Sequence, residues 1–115
     1  DTALAALAPL AAAALRAPWE AGPHRTLGRA LLARGRAREA TFELAVAGGI
    51  THDVADLAWL AQGYEAMGAL DEALAAYQRA LSAGLPGELY DSTRTRFLAL
   101  ARRTGAALDR SRSGP

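Results

Sequence analysis

Residues 56–86 contain two amphipathic helical patterns separated by a glycine. In the first, apolar residues recur at i, i+3, i+4 and i+7 and therefore share one face of an α-helix: Leu57, Leu60, Ala61 and Tyr64. After Gly68 the same spacing returns: Ala73, Leu74, Tyr77, Ala80 and Leu81. A single pair of helices cannot bury both of these apolar faces, so the pattern predicts further helices stacked against the pair.

A sister copy of this pattern lies earlier in the chain. Its turn glycine is Gly35, 33 residues before Gly68. The matched positions of the first helices are Leu27, Gly28 and Leu31 against Leu60, Ala61 and Tyr64. Those of the second helices are Ala40, Leu44 and Ala47 against Ala73, Tyr77 and Ala80. This second copy indicates an array of helix pairs.

The order of small and large residues in residues 56–86 resembles the tetratricopeptide repeat (TPR), a helix–turn–helix unit of about 34 residues. The resemblance is carried by Leu60, Ala61, Tyr64, Gly68, Leu70, Ala73, Tyr77, Ala80 and Pro86. One departure is Leu57, where the family most often has an aromatic residue; Trp59 lies two residues later. The resemblance implies an all-α fold: a short right-handed helical solenoid of antiparallel helix pairs with about six helices.

The same pattern suggests a division of the chain. Residues 1–20 form an N-terminal Ala-rich helix or partial repeat, 21–53 and 54–87 form TPR-like repeats, and 88–105 form a C-terminal capping helix or partial repeat. Residues 106–115 are expected to form a disordered tail, in which residues 106–109 could add a short turn of helix. Gly48 and Gly49 are expected to end one helix, Asp53 to cap the next, and Gly105 to end the last. Trp19 is expected to pack across the junction of the first two helices.

Composition supports a helical fold and limits the possible partners. Alanine, the best helix former, makes up about a quarter of the chain. All 13 basic residues are arginine, but 12 acidic residues leave a net charge of +1, which argues against a strong nucleic-acid footprint. The apolar run 4–15 is too short to span a membrane. It is interpreted as an Ala-rich helix, with the remnant of a targeting segment as the alternative.

No catalytic or metal-binding motif occurs in the sequence. His24 and His52 are the only histidines, cysteine is absent, and neither histidine has a second ligand at metal-binding spacing. No phosphate-loop, dinucleotide or nucleophile-elbow motif occurs. We therefore predict a protein that is not an enzyme and has no cofactor. The chain begins with Asp1 rather than Met, which suggests a fragment or processed product; the compartment stays open, with the cytoplasm favoured.

In the TPR family, the first helices of the repeats line a groove that binds extended peptides or a partner helix. By position, the resemblance places these residues in the groove: Arg25, Arg29, Leu32, Ala58, Trp59, Gln62 and Glu65. Arg96 joins them if the last helix, whose register against the repeats is poor, stacks in register. Arg25 and Arg29 lie one helical turn apart, so both could reach one carboxylate group of a ligand. The alternative is ordinary pairing of these arginines with nearby acids. Trp59 either contacts a partner or packs between units.

The predicted function is a non-enzymatic protein–protein interaction module that binds a peptide or partner helix in this groove. One alternative is nucleic-acid contact through arginines of the C-terminal segment: Arg94, Arg96, Arg102, Arg103, Arg110 and Arg112. Another is a self-association or regulatory module of a larger protein. No membrane partner is expected.

Overall fold

The computed structural model describes the backbone of residues 5–112 and the side chains of residues 5–105. Between Ala8 and Arg112 the chain is all-helical and contains no strand. Its six α-helices are α1 (Ala8–Arg16), α2 (Ala21–Ala33), α3 (Ala37–Thr51), α4 (Val54–Met67), α5 (Leu70–Ser82) and α6 (Gly87–Arg112). The predicted all-α class and the expected number of helices are confirmed. No helix in the described part of the chain is long and apolar enough to cross a membrane.

Within both predicted helix pairs, the chain turns at the expected glycine. Gly35 follows α2 with φ 77°, and Gly68 follows α4 with φ 82°. Both lie in the left-handed region, where a residue with a Cβ atom is disfavoured. Asp53 caps α4, because its side chain accepts a hydrogen bond from the backbone amide of Ala55. Each pair therefore reverses direction within a few residues.

Two predicted helix ends are wrong, both at glycines. Helix α3 passes through Gly48 and Gly49 and ends at Thr51, followed by the C-cap residue His52 with φ 56°. Helix α6 passes through Gly105 and continues to Arg112, so the segment expected to be a disordered tail is helical as far as Arg112. A glycine inside a helix costs only about 1 kcal/mol, which neighbouring helix-forming residues offset. Residues 113–115 lie outside the described part.

The equivalent positions of the two predicted copies are buried alike. Ala40, Leu44 and Ala47 of α3 have no exposed surface, and neither do Ala73, Tyr77 and Ala80 of α5. Each helix packs mainly against its neighbours in sequence, and α2 also contacts α4. The core is accordingly divided into apolar clusters along the chain. The division into residues 1–20, 21–53, 54–87 and 88–105 as structural units stays a prediction.

Two helix crossings depend on glycine. A Cβ atom on Gly28 of α2 would lie 2.7 Å from Cγ of Leu44, inside the first helix pair. A Cβ atom on Gly63 of α4 would lie 2.5 Å from Oγ1 of Thr41 on α3 and 3.3 Å from its Cα, between the two pairs. These distances are shorter than ordinary van der Waals contacts, so the absence of a side chain sets how closely α2–α3 and α3–α4 approach.

The first helix differs from the expectation at its C-terminal junction. Pro9 lies in the first turn of α1, where its missing amide is tolerated. Trp19 does not pack across the junction, because 69% of its surface is exposed. The junction is instead closed by His24 of α2, whose Nε2 donates to the carbonyl oxygen of Pro18 at 2.9 Å.

Candidate binding groove

A groove of about 720 Å³ opens between the end of α2 and helices α4, α5 and α6. Four of the eight predicted groove residues line it: Leu32, Gln62, Glu65 and Arg96. The remaining lining residues are Ala66, Leu70, Asp71, Arg103 and Thr104. Sequence reasoning missed these five, since they come from helix ends and from the second half of α6, whose register against the repeats is poor. We call this set of nine residues the α4–α6 groove.

Glu65 is the most constrained polar residue of the α4–α6 groove. The hydroxyl of Tyr77 donates to its Oε1 atom at 2.6 Å, and the guanidinium of Arg103 donates to its Oε2 atom at 3.1 Å. Burial and the adjacent Glu65 carboxylate raise the pKa of Tyr77, while the nearby Arg96 guanidinium opposes that rise. Both oxygens of Glu65 therefore have partners, and the carboxylate joins α4, α5 and α6.

The rest of the α4–α6 groove combines apolar surface with groups of both charges. Leu32, Ala66 and Leu70 supply carbon surface, and the exposed Arg96 supplies a guanidinium beside the Tyr77 hydroxyl. Asp71 lies in the first turn of α5, where its carboxylate meets the positive end of the helix dipole. An apolar floor with a few convergent polar groups is typical of surfaces that recognise a peptide or helix.

Arg25, predicted to line the groove, is held by a carboxylate of the chain itself. Its Nε and Nη2 atoms donate to the two oxygens of Asp56 on α4, at 2.5 and 2.6 Å. Thr51 also donates to Asp56, at 2.9 Å. Burial alone would raise the pKa of Asp56, but the hydrogen bonds from Arg25 and Thr51 outweigh it and lower that pKa. Because Asp56 has no exposed surface, this ion pair joins the two helix pairs internally.

Arg29 and Trp59, also predicted to line the groove, contact each other. The guanidinium carbon of Arg29 lies 4.4 Å from the ring centroid of Trp59, in cation–π geometry. Neither residue lines the α4–α6 groove. Ala58, next to Trp59, is only 1% exposed and packs in a core cluster with Ala80 and Leu85 instead of facing a groove. The predicted set therefore separates into residues that line the groove, residues that join α2 to α4, and the core residue Ala58.

Two buried ionisable side chains were missed by sequence reasoning, although the helical spacing contains a signal for both. His24 lies three residues before Leu27 and seven before Leu31, which are both buried on the same face of α2. Asp56 lies four residues before Leu60, on the apolar side of α4. A polar residue in register with an apolar face predicts burial with a partner. Its partner on another helix cannot be found from the spacing alone.

The C-terminal arginines do not form one open surface. Arg103 pairs with Glu65, and Arg96 lies beside Tyr77 in the groove. Arg94 and Arg102 are exposed, whereas the side chains of Arg110 and Arg112 lie outside the described part. Elsewhere, at the turn between α2 and α3, Arg36 pairs with Glu39 at 2.8 Å. Nucleic-acid contact through these arginines stays a prediction.

Comparisons with known proteins add no family assignment. No protein-family model matches the chain, and no curated protein is significantly similar to it. Among the described residues, no group of histidine, cysteine, aspartate or glutamate side chains is arranged to hold a metal ion.

Proposed function

We propose that the chain is a non-enzymatic protein-interaction module that binds a peptide or a helix of a partner protein in the α4–α6 groove. The observation that carries this proposal is the convergence of Leu32, Gln62, Glu65 and Arg96 on one open groove. These residues were selected from repeat positions, and they come from three different helices.

The fold we propose for this module is a short right-handed solenoid of TPR-like antiparallel helix pairs. Support comes from the matched burial of Leu44 and Tyr77 and from the positive φ of the two turn glycines, Gly35 and Gly68. Packing mainly between sequence neighbours, with an additional contact between α2 and α4, is typical of repeat proteins. Stacked pairs of this kind leave one side of the first helices open to a ligand.

The chemistry of the groove favours an amphipathic ligand. Leu32, Ala66 and Leu70 would take apolar side chains of the ligand. Arg96 is exposed and offers several N–H donors to a carboxylate or a carbonyl oxygen. Gln62 can both donate to and accept from a peptide backbone. Glu65 is already engaged by Tyr77 and Arg103, so its role is to hold α4, α5 and α6 in position.

Peptide selection followed by a blocking substitution tests the proposal. Peptides would be selected from a random display library against the wild-type chain, and their dissociation constants measured by calorimetry. We expect Ala66→Arg, which fills the groove, to weaken binding about tenfold or more. Ala75→Arg is the matched control, since Ala75 is an exposed alanine of α5 that does not line the groove. Selected peptides that bind both variants equally well would refute the groove as the binding site.

A further inference from the structure

His24 joins three parts of the chain through its two ring nitrogens. Its Nε2 atom lies 2.9 Å from the carbonyl oxygen of Pro18 in the loop between α1 and α2. Its Nδ1 atom lies 2.6 Å from Oε2 of Glu43 on α3. The side chain of His24 is 9% exposed and that of Glu43 is 17% exposed. The imidazole therefore connects the α1–α2 loop, α2 and α3 in a place with little access to water.

The two partners determine how many protons this site holds. A carbonyl oxygen only accepts, so Nε2 must carry a proton. The Glu43 carboxylate also accepts, so a second proton must lie between it and Nδ1. The geometry thus requires one proton more than a neutral histidine beside an ionised glutamate would hold.

We propose that His24 and Glu43 form a pH-sensitive clasp that holds α1 and the α1–α2 loop against α2 and α3, and that releases them as the pH rises. When the site loses one proton, two acceptors face each other: either Nδ1 and Oε2 of Glu43 at 2.6 Å, or Nε2 and the carbonyl oxygen of Pro18 at 2.9 Å. Either Glu43 or the imidazole must then turn away, which leaves a largely buried polar group without its partner. Neither His24 nor Glu43 lines the α4–α6 groove.

The helix that the clasp holds is short, and its other contacts are mainly apolar. Helix α1 has nine residues, which is too short to be stable by itself in water. It packs mainly on α2, through the apolar cluster that contains Leu7, Ala14, Leu27 and Leu31. Release of α1 would therefore open the apolar side of α2.

Other charged residues near His24, on α1, the α1–α2 loop, α2 and α3, make no hydrogen bond to it in the described part of the chain. They are Arg16 at the end of α1, Glu20 in the loop, Arg25 on α2, and Arg38 and Glu39 on α3. Arg25 is turned to Asp56, and Glu39 pairs with Arg36. Among the described residues, Glu43 is the ionisable side chain that hydrogen-bonds to His24.

The direction of the pH effect follows from the change in the pKa of His24. Burial lowers this pKa, but the hydrogen bond to Glu43, the Pro18 carbonyl and the charge of Glu43 together outweigh burial and raise it. A group with a raised folded-state pKa stabilises the folded state fully below its unfolded value of about 6.5. That contribution is lost as the pH rises through the folded-state pKa, so the clasp opens at a pH above the unfolded pKa of His24.

The test combines a histidine titration with amide exchange on the full chain. His52→Asn leaves His24 as the single histidine, and NMR then gives its titration midpoint without ambiguity. Protection factors of the amides in α1 and α5 would be measured between about pH 5.5 and pH 9. We expect a midpoint above about 6.5 and a roughly tenfold loss of protection in α1 through that midpoint, with α5 unchanged.

Two variants separate the clasp from a general effect of pH. In His24→Gln, and equally in Glu43→Gln, the pH response of α1 should disappear, and the second variant serves if the first does not fold. Glu39→Gln changes an exposed glutamate of the same helix and should keep the response. A midpoint at or below 6.5, or an equal pH response of α1 in wild type and in Glu43→Gln, would overturn the proposal.

Discussion

The helix pairs α2–α3 and α4–α5 bury the same positions but are completed by different polar contacts. Leu44 in the first pair and Tyr77 in the second both have no exposed surface. In the first pair, His24 bonds to Glu43 within the pair and to the Pro18 carbonyl outside it, and Arg25–Asp56 joins the pair to α4. In the second pair, the Tyr77 hydroxyl reaches Glu65, which also binds Arg103 of α6. The apolar pattern thus defines equivalent layers, whereas polar side chains define what each layer attaches to.

The two pairs also differ in what they leave open. The second pair, together with α6, forms the α4–α6 groove, in which groups of both charges surround apolar surface. The first pair is covered on one side by the nine-residue α1 and presents the exposed Phe42 of α3. The two pairs therefore have equivalent cores but different surfaces. Tyr77 in the second pair, at the position of Leu44 in the first, contributes to that difference.

The largest expected effect is on the core positions that the two pairs share. Leu44→Ala and Tyr77→Ala should each lower the free energy of unfolding by about 3–5 kcal/mol, because each leaves a cavity in a fully buried site. Tyr77→Ala should be the more severe, since it also removes the hydrogen bond to Glu65. Urea unfolding followed by circular dichroism measures both. A cost below about 1 kcal/mol for either variant would show that its layer is not a core layer.

The next effect is on the ion pair that joins the two helix pairs. Arg25→Met leaves the carboxylate of Asp56 buried without its charged partner and should cost about 3 kcal/mol at pH 7. The lowered pKa of Asp56 means that the ion pair stabilises the fold above the unfolded value of about 3.9, and that this contribution is lost as the pH falls through the folded-state pKa. The loss in the free energy of unfolding caused by Arg25→Met should therefore become smaller in strong acid.

A surface arginine provides the control for that substitution. Arg36 pairs with Glu39 on an exposed part of α3, so Arg36→Met should change the free energy of unfolding by less than about 1 kcal/mol at pH 7. Urea titrations of both variants at neutral and acidic pH give the comparison. If Arg25→Met costs no more than Arg36→Met at pH 7, the pair with Asp56 does not hold α2 against α4.

A smaller effect is expected at the glycine crossings. Gly28→Ala, within the first pair, and Gly63→Ala, between the pairs, should each destabilise by about 1–3 kcal/mol because the new methyl group has no room. Gly49→Ala is the matched control, since Gly49 lies inside α3 with no atom near its Cβ position. It should be neutral or stabilise by about 0.5–1 kcal/mol. Thermal unfolding gives the melting temperatures of the three variants. If all three temperatures shifted in the same direction, the prediction would be contradicted.

Sequence reasoning succeeded where structure depends on local spacing. The number of helices, the turns at Gly35 and Gly68 and the cap at Asp53 follow from period, glycine conformation and side-chain capping. Gly48, Gly49 and Gly105 were misjudged because a glycine only weakens a helix, and tertiary contacts decide whether the helix continues. Thr51, for example, donates to the buried Asp56 from the last turn of α3.

The candidate site was only partly predictable for a related reason. Four residues that were chosen from repeat positions lie together on one groove, and their role in binding stays a prediction: Leu32, Gln62, Glu65 and Arg96. For Arg25 the structure shows the alternative, pairing with an acid of the chain; the spacing within one helix does not reveal that this carboxylate lies on another helix. For Arg29 and for Trp59, contact with a ligand and contact within the chain were both open from the sequence; in the structure the two side chains stack on each other. Contacts between helices depend on their relative rotation, which a repeat pattern leaves undetermined.

Charge reversal at two arginines of α6 tests the central claim most directly. Arg94 and Arg96 are both exposed, but only Arg96 lines the α4–α6 groove. For a peptide selected against the wild-type chain, we predict that Arg96→Glu raises the dissociation constant about tenfold or more, while Arg94→Glu changes it less than about twofold. Equal effects of the two substitutions, or none from Arg96→Glu, would contradict the assignment of this groove as the binding site.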